Sequence, residues 1–182
     1  AVGSLKEEIK PGHLVFPDQF IDQTKLRKLT FSDQYGDVRH ISSAEPFSKE
    51  LRQLLIEETK LLNYNHHSKA TIVVIEGPRF STKAESFMFK NFADIIGMTT
   101  CPEAQLAVEL EIPYASIAMS TDYDCWKEDE FPVTFEMVMQ TMKQNAEKVK
   151  TLLTNVIPKI AKKDQQLIKS KIRTIPNFPK PG

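Results

Sequence analysis

The hydrophobic positions along the chain form two kinds of pattern. Short apolar or β-branched runs predict buried strands, and longer segments with apolar residues every three or four positions predict helices that bury one face. Strands are predicted at residues 1–5, 13–16, 71–75, 95–99 and 114–120, and helices at residues 45–63, 82–93, 103–110 and 134–157. Residues 18–39 are polar and rich in turn formers, which predicts a long surface loop.

The order of these elements predicts an α/β fold. Strands that alternate with helices favour a mixed, mostly parallel sheet with helices on both faces. Sheets of this kind bind ligands at the carboxyl ends of their strands. Three polar segments follow predicted strands, at residues 76–81, 98–100 and 121–126, and they are the candidate site.

Composition narrows the class of partner. Lysine plus arginine and aspartate plus glutamate number 24 each, so no net field directs the protein to nucleic acid or to a membrane surface. The two cysteines lie far apart in apolar surroundings, a usage that suits a reducing compartment. The longest apolar runs have the length of strands. We therefore expect an intracellular domain without a nucleic-acid or membrane partner.

Asp122 and Asp124 are the first candidate residues. They are two positions apart, so an extended backbone directs both carboxylates to one side. Two such acceptors match the Hoogsteen edge of adenine, with its N6 amino group and a protonated N7, and a carboxyl group in a dry pocket can deliver that proton. The alternatives are solvated aspartates in a strand-end turn and a Mg²⁺ site, although no third acidic ligand is evident.

The other two polar segments supply neutral and basic groups. In residues 76–81, a Gly-Pro turn presents Phe80 for stacking and Ser81 for hydrogen bonding, while Arg79 binds an anion or holds Glu76. In residues 97–103, Met98 offers an apolar wall and Thr99 precedes a helix N-terminus, which favours phosphate. Taken alone, each segment is more often an ordinary strand-to-helix turn.

Together the three segments resemble one family. Residues 76–86, 97–103 and 118–126 read EGPRFSTKAES, GMTTCPE and AMSTDYDCW. They resemble the trimeric nucleoside phosphorylases, and among these the 5′-methylthioadenosine phosphorylases, over residues 1–160. Phosphorylases of 6-oxopurines carry glutamate and asparagine where this chain has Ser81 and Asp122. An ionised aspartate accepts from a 6-amino group, so the resemblance implies an adenine base.

The resemblance also implies a role for each site residue. Asp122 is the catalytic residue, which stabilises or protonates N7, and Asp124 supports the amino edge. Phe80 and Ser81 bind the base, Met98 packs against the ribose, and Thr99 and the backbone of Ala1 contact phosphate. The 5′ methylthio group is expected in an apolar pocket, to which a neighbouring subunit lends a histidine; the residues implied are Val133, Phe135, Val138, Met139 and His40.

The implied reaction is phosphorolysis of 5′-methylthioadenosine to adenine and 5-methylthioribose 1-phosphate, in purine and methionine salvage. Inorganic phosphate is a co-substrate, no metal or organic cofactor is needed, and a cytoplasmic homotrimer, with a nuclear pool as the alternative, is expected. Relatives place a glycine-rich phosphate loop before the first residue of this chain, so we expect a C-terminal portion, inactive by itself.

We expect residues 1–160 to be the C-terminal portion of one domain, and residues 161–182 to be a divergent basic tail. Two other functions stay open. One is a 6-oxopurine phosphorylase, which Ser81 and Asp122 oppose, and the other is a non-catalytic remnant that binds nucleosides or partner subunits. Nucleic-acid binding by the basic tail is a third idea, but such lysines usually form a solvated face.

Overall fold

The computed structural model describes residues 1–36, 38–127 and 134–171, with the side chains of 35, 135, 137, 144 and 164–171 left out. In these residues the chain forms seven strands and five helices. The strands are β1 (Val2–Ser4), β2 (Leu14–Val15), β3 (Gln19–Gln23), β4 (His66–His67), β5 (Thr71–Ile75), β6 (Ile95–Gly97) and β7 (Ala118–Tyr123). The helices are α1 (Ser32–Tyr35), α2 (Lys49–Leu61), α3 (Lys83–Phe89), α4 (Thr100–Glu109) and α5 (Phe135–Lys171).

The strands form one mixed sheet in the order β3-β5-β6-β1-β7-β2-β4. Four neighbouring pairs are parallel: β3 with β5, β5 with β6, β1 with β7, and β2 with β4. Strand β1 is antiparallel to β6, and β2 is antiparallel to β7. The predicted mixed, mostly parallel sheet is therefore confirmed. Because β1 reverses the direction, β7 runs opposite to β5 and β6.

The sheet is covered on both faces, as predicted. Along β5, Ile72 and Val74 belong to a core cluster that contains Ala104 of α4, whereas Val73 belongs to a second cluster with Phe89 of α3. This alternation follows from the two-residue period of a strand. A third cluster joins α2 and α5 to β2, through Leu14, Phe16, Leu55, Ile56, Leu152 and Val156.

The predicted loop at residues 18–39 is wrong in part, because residues 19–23 form β3. This strand adds parallel to β5 at the edge of the sheet, with Phe20 packed against one core cluster and Ile21 against the other. Its sequence hides this role, since both ends are glutamine and a polar residue stands inside. Tertiary pairing decides strand formation at such positions more than local preference does.

Several boundaries also differ from the predictions. Helix α2 begins at Lys49 instead of residue 45, since Ser48 accepts a hydrogen bond from the backbone N–H of Leu51 as its N-cap. Strand β7 extends to Tyr123 instead of ending at residue 120, and it therefore includes Asp122. The two-residue strand β4 was not predicted.

Helix α5 continues to Lys171, well beyond the predicted end near residue 157, although Pro158 lies inside it. Contacts with α2 accompany this extension. The carboxylate of Glu58 accepts hydrogen bonds from Asn155 and Lys159, and Lys163 pairs with Glu50. No helix in the described ranges is long and apolar enough to cross a membrane.

Replacing Leu152 by alanine should destabilise the fold. Leu152 is 0% exposed at the junction of α2, α5 and β2, so truncation removes buried apolar contacts and leaves a cavity. We expect a loss of about 3 kcal/mol in the free energy of unfolding, measured by urea denaturation. The neighbour Leu153 is 38% exposed, so Leu153→Ala is the matched control and should cost less than about 1 kcal/mol. Equal losses would contradict this packing.

Glu58 should make stability depend on pH. Hydrogen bonds from Lys159 and Asn155 lower the pKa of its carboxyl group below the ordinary value. The stabilisation is therefore present above the unfolded pKa and is lost as the pH falls through the folded one. Glu58→Gln should lower Tm at neutral pH and lower it less in acid. Glu50→Gln, which breaks the exposed pair with Lys163, is the control, and a similar pH profile in both variants would refute the assignment.

Candidate active site

A cavity of about 340 Å³ lies where three segments of the sheet meet. Ligand pockets typically measure roughly 300–1,000 Å³, so it is large enough for a small organic ligand. Its apolar lining includes Ile75, Ile96 and Val138. The predicted site residues that line it are Ala1, Phe80, Ser81, Met98, Thr99, Asp122, Asp124 and Val138.

The approach of the aspartates depends on Gly3. This residue pairs with Ile96 on one side and with Asp122 on the other. A Cβ at Gly3 would lie 3.0 Å from Cγ2 of Ile96 and 3.1 Å from Oδ1 of Asp122, and 3.4 Å from Cβ of Asp124. These distances are at or below close van der Waals contact, so the absence of a side chain at Gly3 lets both aspartates reach the end of β6.

The expectation that all three segments lie at one carboxyl edge is wrong for residues 121–126. Strand β7 is antiparallel to β6 through β1, so its carboxyl end points away from the ends of β5 and β6. Asp122 reaches the cavity because the register places it level with Ile96, not because it follows a parallel strand.

The two aspartates differ in their surroundings. Oδ2 of Asp122 accepts a hydrogen bond of 2.6 Å from the hydroxyl of Thr121, and the side chain is half-buried. Asp124 is 6% exposed, and its Oδ2 is buried without a hydrogen-bond partner among the described residues. A buried unpaired carboxylate oxygen is costly, and here it belongs to a residue that lines a cavity. The pair therefore consists of one oriented acceptor and one buried, unsatisfied acceptor.

The segment after β5 carries the aromatic and hydroxyl groups. Gly77 has a φ of +69°, which favours glycine, and a Cβ there would lie 2.6 Å from Sδ of Met98. This turn leads to Phe80, which is 45% exposed at the cavity, and to Ser81. Helix α3 then begins with a capping box between Thr82 and Glu85. The backbone of this segment is thus fixed at both ends.

Arg79 does not hold Glu76, contrary to one of the two roles predicted for it. Its guanidinium forms two hydrogen bonds of 2.7 Å with the carboxylate of Glu85. That bidentate contact lowers the pKa of Glu85 to about 2. Arg79 does not line the cavity, although binding an anion in the cavity would require it to do so.

Glu76 is held by residues of the segment that was predicted as a loop. Its carboxylate accepts from the backbone N–H groups of Lys25 and Leu26 and from Nε of Arg27. These bonds lower the pKa of the Glu76 carboxyl group, and the two bonds from the backbone have the largest effect. Arg27 also donates to backbone carbonyls next to Gly77 and in the turn after β6. The spacing of residues in the sequence does not indicate the contact between Arg27 and Glu76, which are 49 positions apart.

The thiol of Cys125 lies close to the backbone of Ser81. Burial, and then the charge of Asp124, raise the pKa of the Cys125 thiol. Its Sγ lies 3.3 Å from the carbonyl oxygen of Ser81, so it behaves as a weak donor and not as a thiolate nucleophile. Within the described part of the chain, no three His, Cys, Asp or Glu residues are arranged to hold a metal ion.

Met139 and His40 do not lie at the cavity. Met139 is 41% exposed on α5, one position after Val138, and His40 is exposed in coil. Neither lines the cavity. Val133 and the side chain of Phe135 lie outside the described residues. The roles predicted for these four stay predictions.

Comparison with known proteins gives the same family over most of the chain. The chain is 56% identical over 160 residues to S-methyl-5′-thioadenosine phosphorylase from Pyrococcus furiosus, which covers 88% of the chain and 61% of the relative. It is 50% identical over 181 residues to the enzyme of that name from Xenopus tropicalis, covering 96% of the chain and 64% of the relative. The chain thus spans less than two thirds of the length of these relatives.

Solved structures match as well. A variant of adenosine/methylthioadenosine phosphorylase from Schistosoma mansoni in complex with adenine has a TM-score of 0.85 at 36% identity, covering 88% of this chain and 64% of its own. A second variant, in complex with methylthioadenosine, has a TM-score of 0.82 at 35% identity, covering 88% and 62%. These matches confirm the predicted nucleoside phosphorylase-like fold. The family model described as the phosphorylase superfamily matches residues 1–158, and the chain belongs to that superfamily.

Proposed function

We propose that the protein cleaves 5′-methylthioadenosine with inorganic phosphate, giving adenine and 5-methylthioribose 1-phosphate. The observation that carries the proposal is the convergence of Asp122, Asp124, Ser81 and Phe80 on one cavity. Relatives named for this activity support it, at 50–56% identity. A structural relative whose described complex contains methylthioadenosine supports the choice of nucleoside.

The base is recognised by the two carboxylates. Adenine presents a 6-amino donor and, during bond cleavage, a protonated N7, and both match acceptor oxygens. The Oδ2 atom of Asp124, unpaired among the described residues, takes the amino group. Asp122, oriented by Thr121, stabilises the proton at N7 and so makes adenine a better leaving group. Phe80 stacks on the purine, and Ser81 adds a hydrogen bond.

The sugar and the phosphate occupy the other end of the cavity. Met98 lies against Gly77 and packs against the ribose, while Thr99, one residue before α4, binds phosphate with the backbone of Ala1. An oxygen of phosphate forms a bond to the anomeric carbon as the bond to N9 breaks, and the electron pair leaves with adenine. This displacement requires no oxidant or reductant. The proposal therefore includes phosphate as co-substrate and neither a metal nor an organic cofactor.

The 5′ end of the nucleoside is the part least enclosed by this chain. Val138 lines the cavity, but Met139 and His40 are exposed. The proposal includes a homotrimer in which His40 of each subunit approaches the neighbour's 5′ pocket. Light scattering on the protein at its full natural length would give three times the subunit mass if this is correct, and a monomer with full activity would refute it.

Asp122→Asn should abolish most of the activity. Asparagine keeps one acceptor oxygen but replaces the charged carboxylate with a neutral amide, so the proton at N7 loses its stabilising negative charge and kcat/KM for methylthioadenosine should fall about 100-fold. The measurement is phosphate-dependent adenine release by the protein at its full natural length. Asp33→Asn, at an exposed aspartate of α1, is the matched control and should keep full activity. Adenine release that needs no phosphate would refute a phosphorylase.

Base selectivity separates this function from its alternatives. Methylthioinosine carries a 6-oxo group in place of the 6-amino group of methylthioadenosine, which leaves the acceptor of Asp124 without its donor. We expect wild-type kcat/KM to favour the adenine substrate by about 100-fold, and Asp122→Asn to narrow that ratio. Equal rates, or a preference for the 6-oxo substrate, would identify a 6-oxopurine phosphorylase. Binding of methylthioadenosine without turnover would identify a non-catalytic nucleoside-binding protein.

A further inference from the structure

Arg27 uses every hydrogen-bond donor that it has. Its Nε donates to Oε1 of Glu76 at 3.2 Å, and Nη2 donates to the carbonyl oxygens of Ile75 at 3.4 Å and Glu76 at 2.8 Å. Its Nη1 donates to the carbonyl oxygens of Met98, at 2.6 Å, and Cys101. A guanidinium has five N–H groups, so all of them are engaged.

These acceptors belong to two different segments of the site. Ile75 and Glu76 end β5 and lead into the turn that presents Phe80 and Ser81. Met98 belongs to the turn after β6 that presents Thr99, and Cys101 lies in the first turn of α4, where its backbone is not helical. Arg27 lies in the segment after β3 and contacts both turns at once, while it does not line the cavity itself.

We infer that Arg27 is a positioning residue that fixes the base-binding turn relative to the ribose- and phosphate-binding turn. This assignment rests on the proposed function for the identity of the two subsites. Direct anion binding by Arg27 is disfavoured because its donors are already engaged and because it lies outside the lining. A displacement between phosphate and nucleoside needs the two partners aligned, and a misplacement of about 1 Å can cost roughly 100-fold in rate.

The side chain must be arginine for this role. Its planar fork reaches four carbonyls and a carboxylate in one geometry, whereas lysine has three donors on a single nitrogen. Glu76 completes the arrangement by accepting from Nε and from the backbone of Lys25 and Leu26, which holds the segment around Arg27 in place. A Cβ at Gly77 would lie 2.6 Å from Sδ of Met98, so the two turns also approach each other closely there.

Arg27→Lys tests the inference because it keeps the positive charge and removes the fork. In the protein at its full natural length, kcat for phosphorolysis should fall roughly 30–100-fold, while the dissociation constant of adenine changes by less than about threefold. Arg52→Lys is the matched control. Arg52 is buried and donates to the carbonyls of Phe16 and Ser68, away from the cavity, so this variant should lose stability but keep kcat per folded molecule.

Two further measurements distinguish a loss of positioning from a loss of folding. Guanidinium ion added to Arg27→Ala should raise the kcat of this variant at least tenfold, because it replaces the missing guanidinium group. Amide exchange at residues 76–81 and 98–101 should rise together in Arg27→Lys and stay unchanged in Arg52→Lys. A kcat within threefold of wild type, or equal losses in both lysine variants, would overturn the inference.

The exchange measurement also separates this inference from the proposed function. If the wild-type protein releases no adenine from methylthioadenosine and phosphate, the proposed function fails. Faster exchange in both turns of Arg27→Lys would then still support the positioning role. Faster exchange in only one turn would overturn it.

Discussion

The candidate site depends on a close approach between three neighbouring strands at Gly3, where a side chain would be crowded. Strand β1 lies between β6 and β7, antiparallel to one and parallel to the other. Any Cβ at Gly3 would crowd Ile96 and the carboxylate of Asp122. Because β1 is antiparallel to β6 and parallel to β7, the carboxyl end of β7 points away from the turns after β5 and β6. The acidic pair therefore reaches the cavity through register and through the space at one glycine.

Hydrogen bonding between distant segments then sets the shape of the cavity. The turns after β5 and β6 carry few regular backbone bonds of their own, and Arg27 supplies donors to both. Because charged donors form stronger hydrogen bonds than neutral ones, a single guanidinium can replace several ladder contacts. These hydrogen bonds connect the two turns that carry Phe80, Ser81, Met98 and Thr99.

Much of the fold follows from local pattern, and much of the site does not. The β-branched run of β5 and the apolar stripe of α5 identified their elements, since burial imposes a clear period on each. Strand β3 escaped prediction because its pairing with β5, and not its own residues, makes it a strand. Arg27 lies in a part of the predicted loop that has no regular structure, and its contacts with distant turns could not be seen in the sequence. The cavity residues were predicted by motif, and Thr121 is the neighbour of Asp122, but Arg27 is far in sequence from the turns that it contacts.

Asp122 and Asp124 differ in whether the protein itself supplies a hydrogen-bond donor to the carboxylate. Asp122 has an internal donor, the hydroxyl of Thr121, whereas Oδ2 of Asp124 has none among the described residues. An unsatisfied buried acceptor costs free energy in the empty protein, and a ligand donor recovers that cost on binding. A ligand that offers an acceptor at the same place recovers nothing and adds repulsion. In the proposed function, this difference between the two carboxylates is the basis for preferring a 6-amino over a 6-oxo purine.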